Sequence, residues 1–185
     1  AYQIPKFARP NFSIIQNTFR IGGPAMFQSF ITLGAWFVFF TLIEHLGTYE
    51  LAVSHLVRIV YVFVIIPIFS LSDAVATLTS NLLGENRAKD VRIMARRSIF
   101  LGWMTNLVFA PMFWFVPDKL AMIFTEYEHL AAGTVDILRM MIGVMFIFTV
   151  AMVLSKVIIG TGRTAHAMYL ELATVVAYVA FAYVA

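Results

Sequence analysis

Cysteine is absent from all 185 residues, so disulfides, thiolate chemistry and Cys-ligated metals are excluded. Charge is scarce as well: only 12% of the residues are Asp, Glu, Lys or Arg, about half the usual share of a soluble domain. The four histidines, His45, His55, His129 and His166, show neither HxxH nor HExxH spacing, so the common zinc patterns are missing. GGP at 22 to 24 and GTGR at 160 to 163 lack both a preceding strand and the GKS/T ending of a phosphate loop. No Ser, His and Asp on one side of the chain assemble into a triad. Neither enzyme chemistry nor a resident cofactor is expected. The first twenty residues contain no apolar run of the secretory-signal kind, and strand-type alternation is missing, which argues against a β-barrel.

What is present is apolar. Hydrophobic residues make up 61% of the chain and Phe alone occurs 18 times, with a mean hydropathy of +0.86. A soluble chain of this length has no core large enough to hide that much apolar surface. The fold class expected is an all-α integral membrane protein, a polytopic helical bundle. Five runs are long enough to cross a hydrocarbon core of about 30 Å: residues 21–43, 56–83 (containing Pro67), 99–116, 137–159, and one from about 167 to 185. Residues 1–20 read as a basic lead-in. Gly22, Gly23 and Pro24 are expected to open the first span.

Basic residues set the orientation. Lys6, Arg9 and Arg20 precede the first span, Arg87, Lys89, Arg92, Arg96 and Arg97 follow the second, and Arg163 follows the fourth. The opposite loops hold Lys119 together with Glu44, Glu50, Asp118, Glu126 and Glu128. The positive-inside rule therefore places the N-terminal segment in the cytoplasm of a cell whose inner or plasma membrane holds the protein. The formal charge of +3 comes from these loops, so no nucleic-acid partner is expected. GENRAKDVRIMARR reads as an interfacial helix start beside anionic lipid, with Val91 and Met94 facing the membrane.

Polar residues inside the spans carry the functional signal. Asp73 lies within VFVIIPIFSLSDAVATLTSNLLG, where an ionised carboxylate costs about 2.5 to 3.5 kcal/mol on insertion scales. Ser70, Asp73, Thr77, Ser80, Asn81 and Gly84 follow one stripe of a helix. Such a stripe faces other helices or water rather than lipid, and interhelical hydrogen bonding is an alternative role for Thr77, Ser80 and Asn81. Pro67 frees the carbonyl near Phe63 and is expected to bend the helix. On the first span Gln28, Ser29 and Thr32 share a face with Trp36, which could hold a bulky cation through its ring. On the fourth, Met145, Thr149, Met152 and Lys156 form a third stripe, with Met supplying adaptable packing and Lys156 close enough to the cytoplasmic end to snorkel. Asp136 and Arg139 are expected to pair at the outer end.

IEHLGTYELAVSHLVRIVYVFVIIPIFSLSDAVATLTSNLLGENRAKD, with its LG and LA turn and its Pro-containing span ending in LG before a basic loop, resembles the multidrug and toxic compound extrusion (MATE) transporters. IGGPAMFQSF before the first span and IIGTGRT before the fifth are similar to that family too, so the resemblance runs from about Ile21 to Thr164 and onward. It implies one lobe of six spans, here five, with the basic lead-in as the linker between lobes. The C-terminal lobe is the closer match. The chain stops inside LATVVAYVAFAYVA, and a sixth span and an N-terminal partner lobe are expected in a longer protein.

The resemblance further implies exchange of Na⁺ or H⁺ for small organic cations by alternating access. Members of the NorM type carry a Glu at the position that falls on Thr32 and an Asp at the position that falls on Phe148 or Thr149. Neither acid is present, which leaves Asp73 as the expected mid-membrane carboxylate for coupling, with Na⁺ binding there an option. Gln28, Thr32, Trp36, Thr77, Asn81, Met145, Thr149 and Met152 are the expected substrate-cavity residues. Two other readings stay open. A lipid-linked saccharide flippase of the same superfamily would call for a strongly cationic cavity, and a membrane scaffold without substrate would make the polar stripes sealed helix contacts.

Overall fold

A computed structural model describes residues 12–184. Residues 1–11, the greater part of the expected lead-in, lie outside the described residues. Six helices follow in order: α1 (Phe12–Glu44), α2 (Thr48–Gly84), α3 (Ala88–Phe115), the short α4 (Pro117–Met122), α5 (Glu128–Gly160) and α6 (Thr164–Val184). Five of them are long and apolar enough to cross a membrane, and no strand occurs among the described residues. The all-α polytopic membrane fold is as the sequence indicates.

Short links dictate the layout. α1 and α2, α2 and α3, and α5 and α6 are joined by three residues each, so each pair must run antiparallel. Every one of these links holds a single residue at positive φ: Gly47 at 148°, Asn86 at 59° and Gly162 at 77°. These are residue types that tolerate such a backbone at little cost. α4 spaces α3 from α5, and it begins at Pro117, a residue suited to the first helical turn.

α2, α3 and α5 form the packed centre. Val60, Val64, Ile68 and Val75 of α2 and Leu138, Met145 and Val153 of α5 are buried between them, joined by Ala95 and Phe113 of α3. Small residues allow the close approach. A Cβ at Gly160 would lie 2.6 Å from the Ala76 carbonyl oxygen and 2.6 Å from Thr79 Cβ, and one at Gly102 would lie 2.5 Å from Thr149 Cγ2. Helix pairs in lipid associate through such van der Waals contact, since surrounding hydrocarbon supplies no hydrophobic drive.

α1 contributes no buried residue at all. It runs parallel to α6, tied by Thr164 Oγ1 donating to the Ile21 carbonyl at 2.8 Å and by a Phe39–Tyr178 ring contact. Toward its C-terminal end it meets α2 through Trp36 against Tyr61 and Phe40 against His55. Phe37, Val108, Met140, Ile147 and Phe181, from four different helices, are 71% to 75% exposed. A surface of that kind is suited to hydrocarbon rather than water.

Two local expectations are corrected. The first helix begins at Phe12 rather than at Ile21, and Gly22, Gly23 and Pro24 lie inside it. FSIIQNTFR contains no breaker, so the helix continues through the proline and forgoes only the bond to the Arg20 carbonyl. Pro67 likewise sits within an unbroken α2, and Pro111 within α3. Met94 does not face the membrane but packs on Val75, Ala95 and Val153, and the large exposed residue of that turn is Ile93.

Gly160→Val should lower the thermal stability of the protein in detergent, because forcing a β-branched side chain against the α2 backbone costs about 1 to 3 kcal/mol. Gly143→Ala, where nothing lies within 4 Å of the added carbon, should leave the melting temperature unchanged or raise it.

Candidate functional site

The polar stripe of α2 is real and open. Ser70, Asp73, Thr77, Ser80, Asn81 and Gly84 are all exposed, whereas Ser72, Val75 and Thr79 on the other side of the helix are buried against α3 and α5. The hydroxyls of the stripe need little from outside. Ser70 donates to the Ile66 carbonyl, Thr77 to that of Asp73, and Ser80 to those of Ala76 and Gly160, the back-bonding common to Ser and Thr in helices. A carboxylate has no proton to donate in this way, and Asp73 takes a different partner.

Lys156 of α5 reaches across the helix contact and places Nζ 2.5 Å from Asp73 Oδ1. The ammonium is therefore turned to α2, whereas the sequence suggested that it would snorkel toward the end of its own helix. The sequence already contained both residues on separate stripes. What it lacked was the relative rotation of α2 and α5, which run parallel here because both descend from the Gly47 and Tyr127 side. Asp73 lies about 16 Å along α2 from Gly84 at 1.5 Å per residue, within a 37-residue helix. The pair is asymmetric in access, with 67% of the Asp73 side chain exposed against 25% for Lys156. Its open side is the carboxylate. A Na⁺ at Asp73 would have to share that carboxylate with Lys156 or displace it.

A second carboxylate lies inside the spans and went unrecognised in the sequence. Glu171 of α6 is half-buried and accepts a hydrogen bond from Thr32 Oγ1 at 3.0 Å. Asp73 is therefore not the single intramembrane acid. Glu171 stands close to the start of the fifth apolar run, and one acidic residue there forms no stripe. Its level is set instead by α1, where Thr32 stands about 6 Å from the middle of the 33-residue helix. An acid thus arrives from α6 at Thr32, the position where the resemblance had led us to expect one on α1.

The remaining candidates separate into two groups. Gln28, Thr32 and Met152 are half-buried and Trp36, Thr77 and Asn81 exposed, so all six are reachable at the surface of the helix bundle. Trp36 stacks on Phe40 and Tyr61 at 6.0 and 6.4 Å, and the cation over an aromatic ring is Arg58, 4.9 Å from the centre of Phe40. Met145 and Thr149 are 3% and 0% exposed, placed in the α3–α5 contact instead of on an open wall. There Asn106 Nδ2 donates to Thr149 Oγ1 at 2.9 Å and to the Met145 carbonyl at 3.1 Å. Asn106, in the run GWMTNLVF, was not singled out from the sequence because one polar residue forms no stripe. Asp136 and Arg139 do pair, at 3.8 Å. Among the described residues no group of three His, Asp or Glu could hold a metal ion.

Removing one member of the α2–α5 pair should be worse than removing both. Lys156→Met should destabilise the protein more than the Asp73→Asn, Lys156→Met double variant, since the single change leaves a carboxylate without its counter-ion. Thermal unfolding of the four combinations in detergent measures the coupling, expected at about 1 kcal/mol for so exposed a pair.

A family model described as MatE matches residues 24–184. No curated protein and no solved structure matches the chain. The five membrane-crossing helices, the polar stripe held open on α2 and the family match together make this chain a multi-pass membrane protein that belongs to the MatE family of transporters.

Proposed function

We propose that the chain is one lobe of a cation-coupled efflux antiporter that exports small organic cations in exchange for Na⁺ or H⁺. The observation that carries this reading is Asp73, a carboxylate presented on the open side of α2 within a membrane-crossing helix. Lipid is a poor neighbour for it, so its open side faces a water-filled cavity or a second lobe. Thr77 and Asn81 continue that wall toward the cytoplasm, with Met152 beside Lys156 on α5. Gln28, Thr32 and Trp36 supply a second wall on α1, amides and hydroxyls beside an aromatic ring, which is a surface suited to an organic cation. Met145 and Thr149 act behind the walls as packing. The scarcity of free cations on these faces, with Lys156 already paired, favours a cationic cargo over a pyrophosphate-bearing one.

Alternating access needs a second half against which this lobe can rock around a central site. The partner is therefore an N-terminal lobe of the same transporter, in an inner or plasma membrane with the N-terminal segment cytoplasmic. The basic loops from Arg87 to Arg97 support that orientation. No cofactor enters this scheme beyond the coupling ion.

In the full-length protein reconstituted into liposomes, Asp73→Asn should abolish ion-gradient-driven movement of a cationic dye. Undiminished transport by that variant would exclude Asp73 from coupling. A cysteine introduced at Thr77 into the naturally cysteine-free chain should react with a membrane-impermeant maleimide and be protected by the dye. Complete resistance to labelling would instead identify the stripe as a sealed helix contact.

A further inference from the structure

α5 and α6 are joined through residues 161–163 but pack on different neighbours, α5 on α2 and α3, α6 on α1. The two helices part from each other, and a groove of about 550 Å³ opens between them beside the link. That size lies within the range of about 300 to 1,000 Å³ that small-ligand sites occupy. Thr164 and Glu171 of α6 are turned to α1, bonded to the Ile21 carbonyl and to Thr32. A different stripe of that helix therefore faces the groove: Arg163, His166, Tyr169 and Leu170, at helical spacing. Val157 and Ile158 of α5 form the opposite wall.

The positive charge in this groove is uncompensated. Among the described residues no carboxylate lies within ion-pair distance of Arg163, since Glu85 and Asp90 are taken by Arg87, Asp136 by Arg139 and Asp73 by Lys156. Thr161 at the edge of the groove donates its proton to the Ile158 carbonyl at 2.7 Å. The donors left are the Arg163 guanidinium, the His166 ring and the Tyr169 hydroxyl, all three exposed. A guanidinium holds two oxygens of a phosphate at once. No carboxylate lines the groove to receive the ammonium of a zwitterionic headgroup, so a ligand with net negative charge fits it better.

Polarity changes in order along the groove. Arg163 stands in the link, at the end of the bundle that also holds the α2–α3 link and the basic residues Lys89, Arg92, Arg96 and Arg97. Tyr169 and Leu170 lie about 9 to 10 Å further along α6, exposed and next to the aliphatic wall of α5. Cation, phenol and aliphatic surface thus succeed one another as phosphate, ester and acyl chain do in a phospholipid. A water-soluble anion would leave the apolar walls unused, and a neutral lipid would leave the guanidinium unpaired.

We propose that the groove between α5 and α6 is a binding site for an anionic phospholipid, with the headgroup phosphate at Arg163 and His166 and an acyl chain over Val157, Ile158 and Leu170. Basic pockets between membrane helices recognise headgroups of this kind. The lipid fills the space the two helices leave and ties α6 to the packed centre. The site is separate from Asp73 and from Glu171, and it stands whether or not the antiport reading does.

Phosphatidylglycerol with a photoreactive diazirine in its acyl chain, added to the full-length protein in detergent, tests the site without any substitution. Adducts are expected within residues 157–170, displaced by unlabelled phosphatidylglycerol and not by phosphatidylcholine of the same chains. Absence of adducts from that segment means that protein covers the groove and overturns the proposal, as does equal displacement by phosphatidylcholine. In thermal unfolding, phosphatidylglycerol should raise the melting temperature, and the concentration giving half the shift should rise about tenfold or more in Arg163→Gln. Arg92→Gln, which removes a basic residue at the same end of the bundle, should respond as the wild type does. An unchanged response in Arg163→Gln overturns the site, and an equal loss in Arg92→Gln replaces it with diffuse attraction. Glycerol 3-phosphate giving the full shift at the same concentration would mark a site for free anions and overturns the lipid assignment.

Discussion

An ionisable group inside a membrane span has no water to turn to, so it must find its partner within the protein or along an aqueous path. Two contacts between helices follow from that constraint. Asp73 is reached by an ammonium from a neighbouring helix, Glu171 by a hydroxyl. Each contact fixes the rotation of one helix against another. The ion pair sets α5 against α2, and the threonine bond sets α6 against α1, which has no buried apolar residue to do the same.

The two carboxylates are satisfied by different chemistry. An ion pair cancels charge but leaves the carboxylate oxygens able to accept more, and 67% of the Asp73 side chain remains open. A single shared hydroxyl supplies orientation without cancelling charge. Two acids in one chain, one paired with an ammonium and one with a hydroxyl, are therefore unequal in their surroundings. A cation approaching Asp73 competes with a tethered ammonium, whereas the Glu171 carboxylate is met by the Thr32 hydroxyl.

The number of spans, the helix type and the α2 stripe were all legible in the sequence, because periodicity and hydropathy are properties of one helix at a time. Pairings across helices were not. Lys156 and Asp73 are far apart in the chain, and nothing in either segment encodes the parallel packing that joins them. Glu171 was hidden for a related reason: LELATVVAYV begins soon after the GTGR link, and only the stagger of α6 on α1 carries that residue to the level of Thr32. Helix starts were misread where glycine and proline were taken as boundaries. In α1 a continuous helix runs through Pro24, since losing one bond costs less than ending a long helix in lipid.

The placement of charge relative to packing follows from desolvation. Where α2, α3 and α5 approach most closely, at Gly102 and Gly160, the buried polar groups are neutral: Ser72, Thr79, Ser98, Asn106 and Thr149. Thr79 and Thr149 donate back to their own helices, so they add no net charge to the core. The carboxylates lie at the edges of that core, one on its open face and one in the seam between α1 and α6. A charge at the Gly160 contact would be taken from all solvent and would have to be matched there at a cost of several kcal/mol. At a seam it keeps access to the surface of the helix bundle. The same tight packing that holds α2, α3 and α5 together therefore leaves the ionisable groups at the edges of the core.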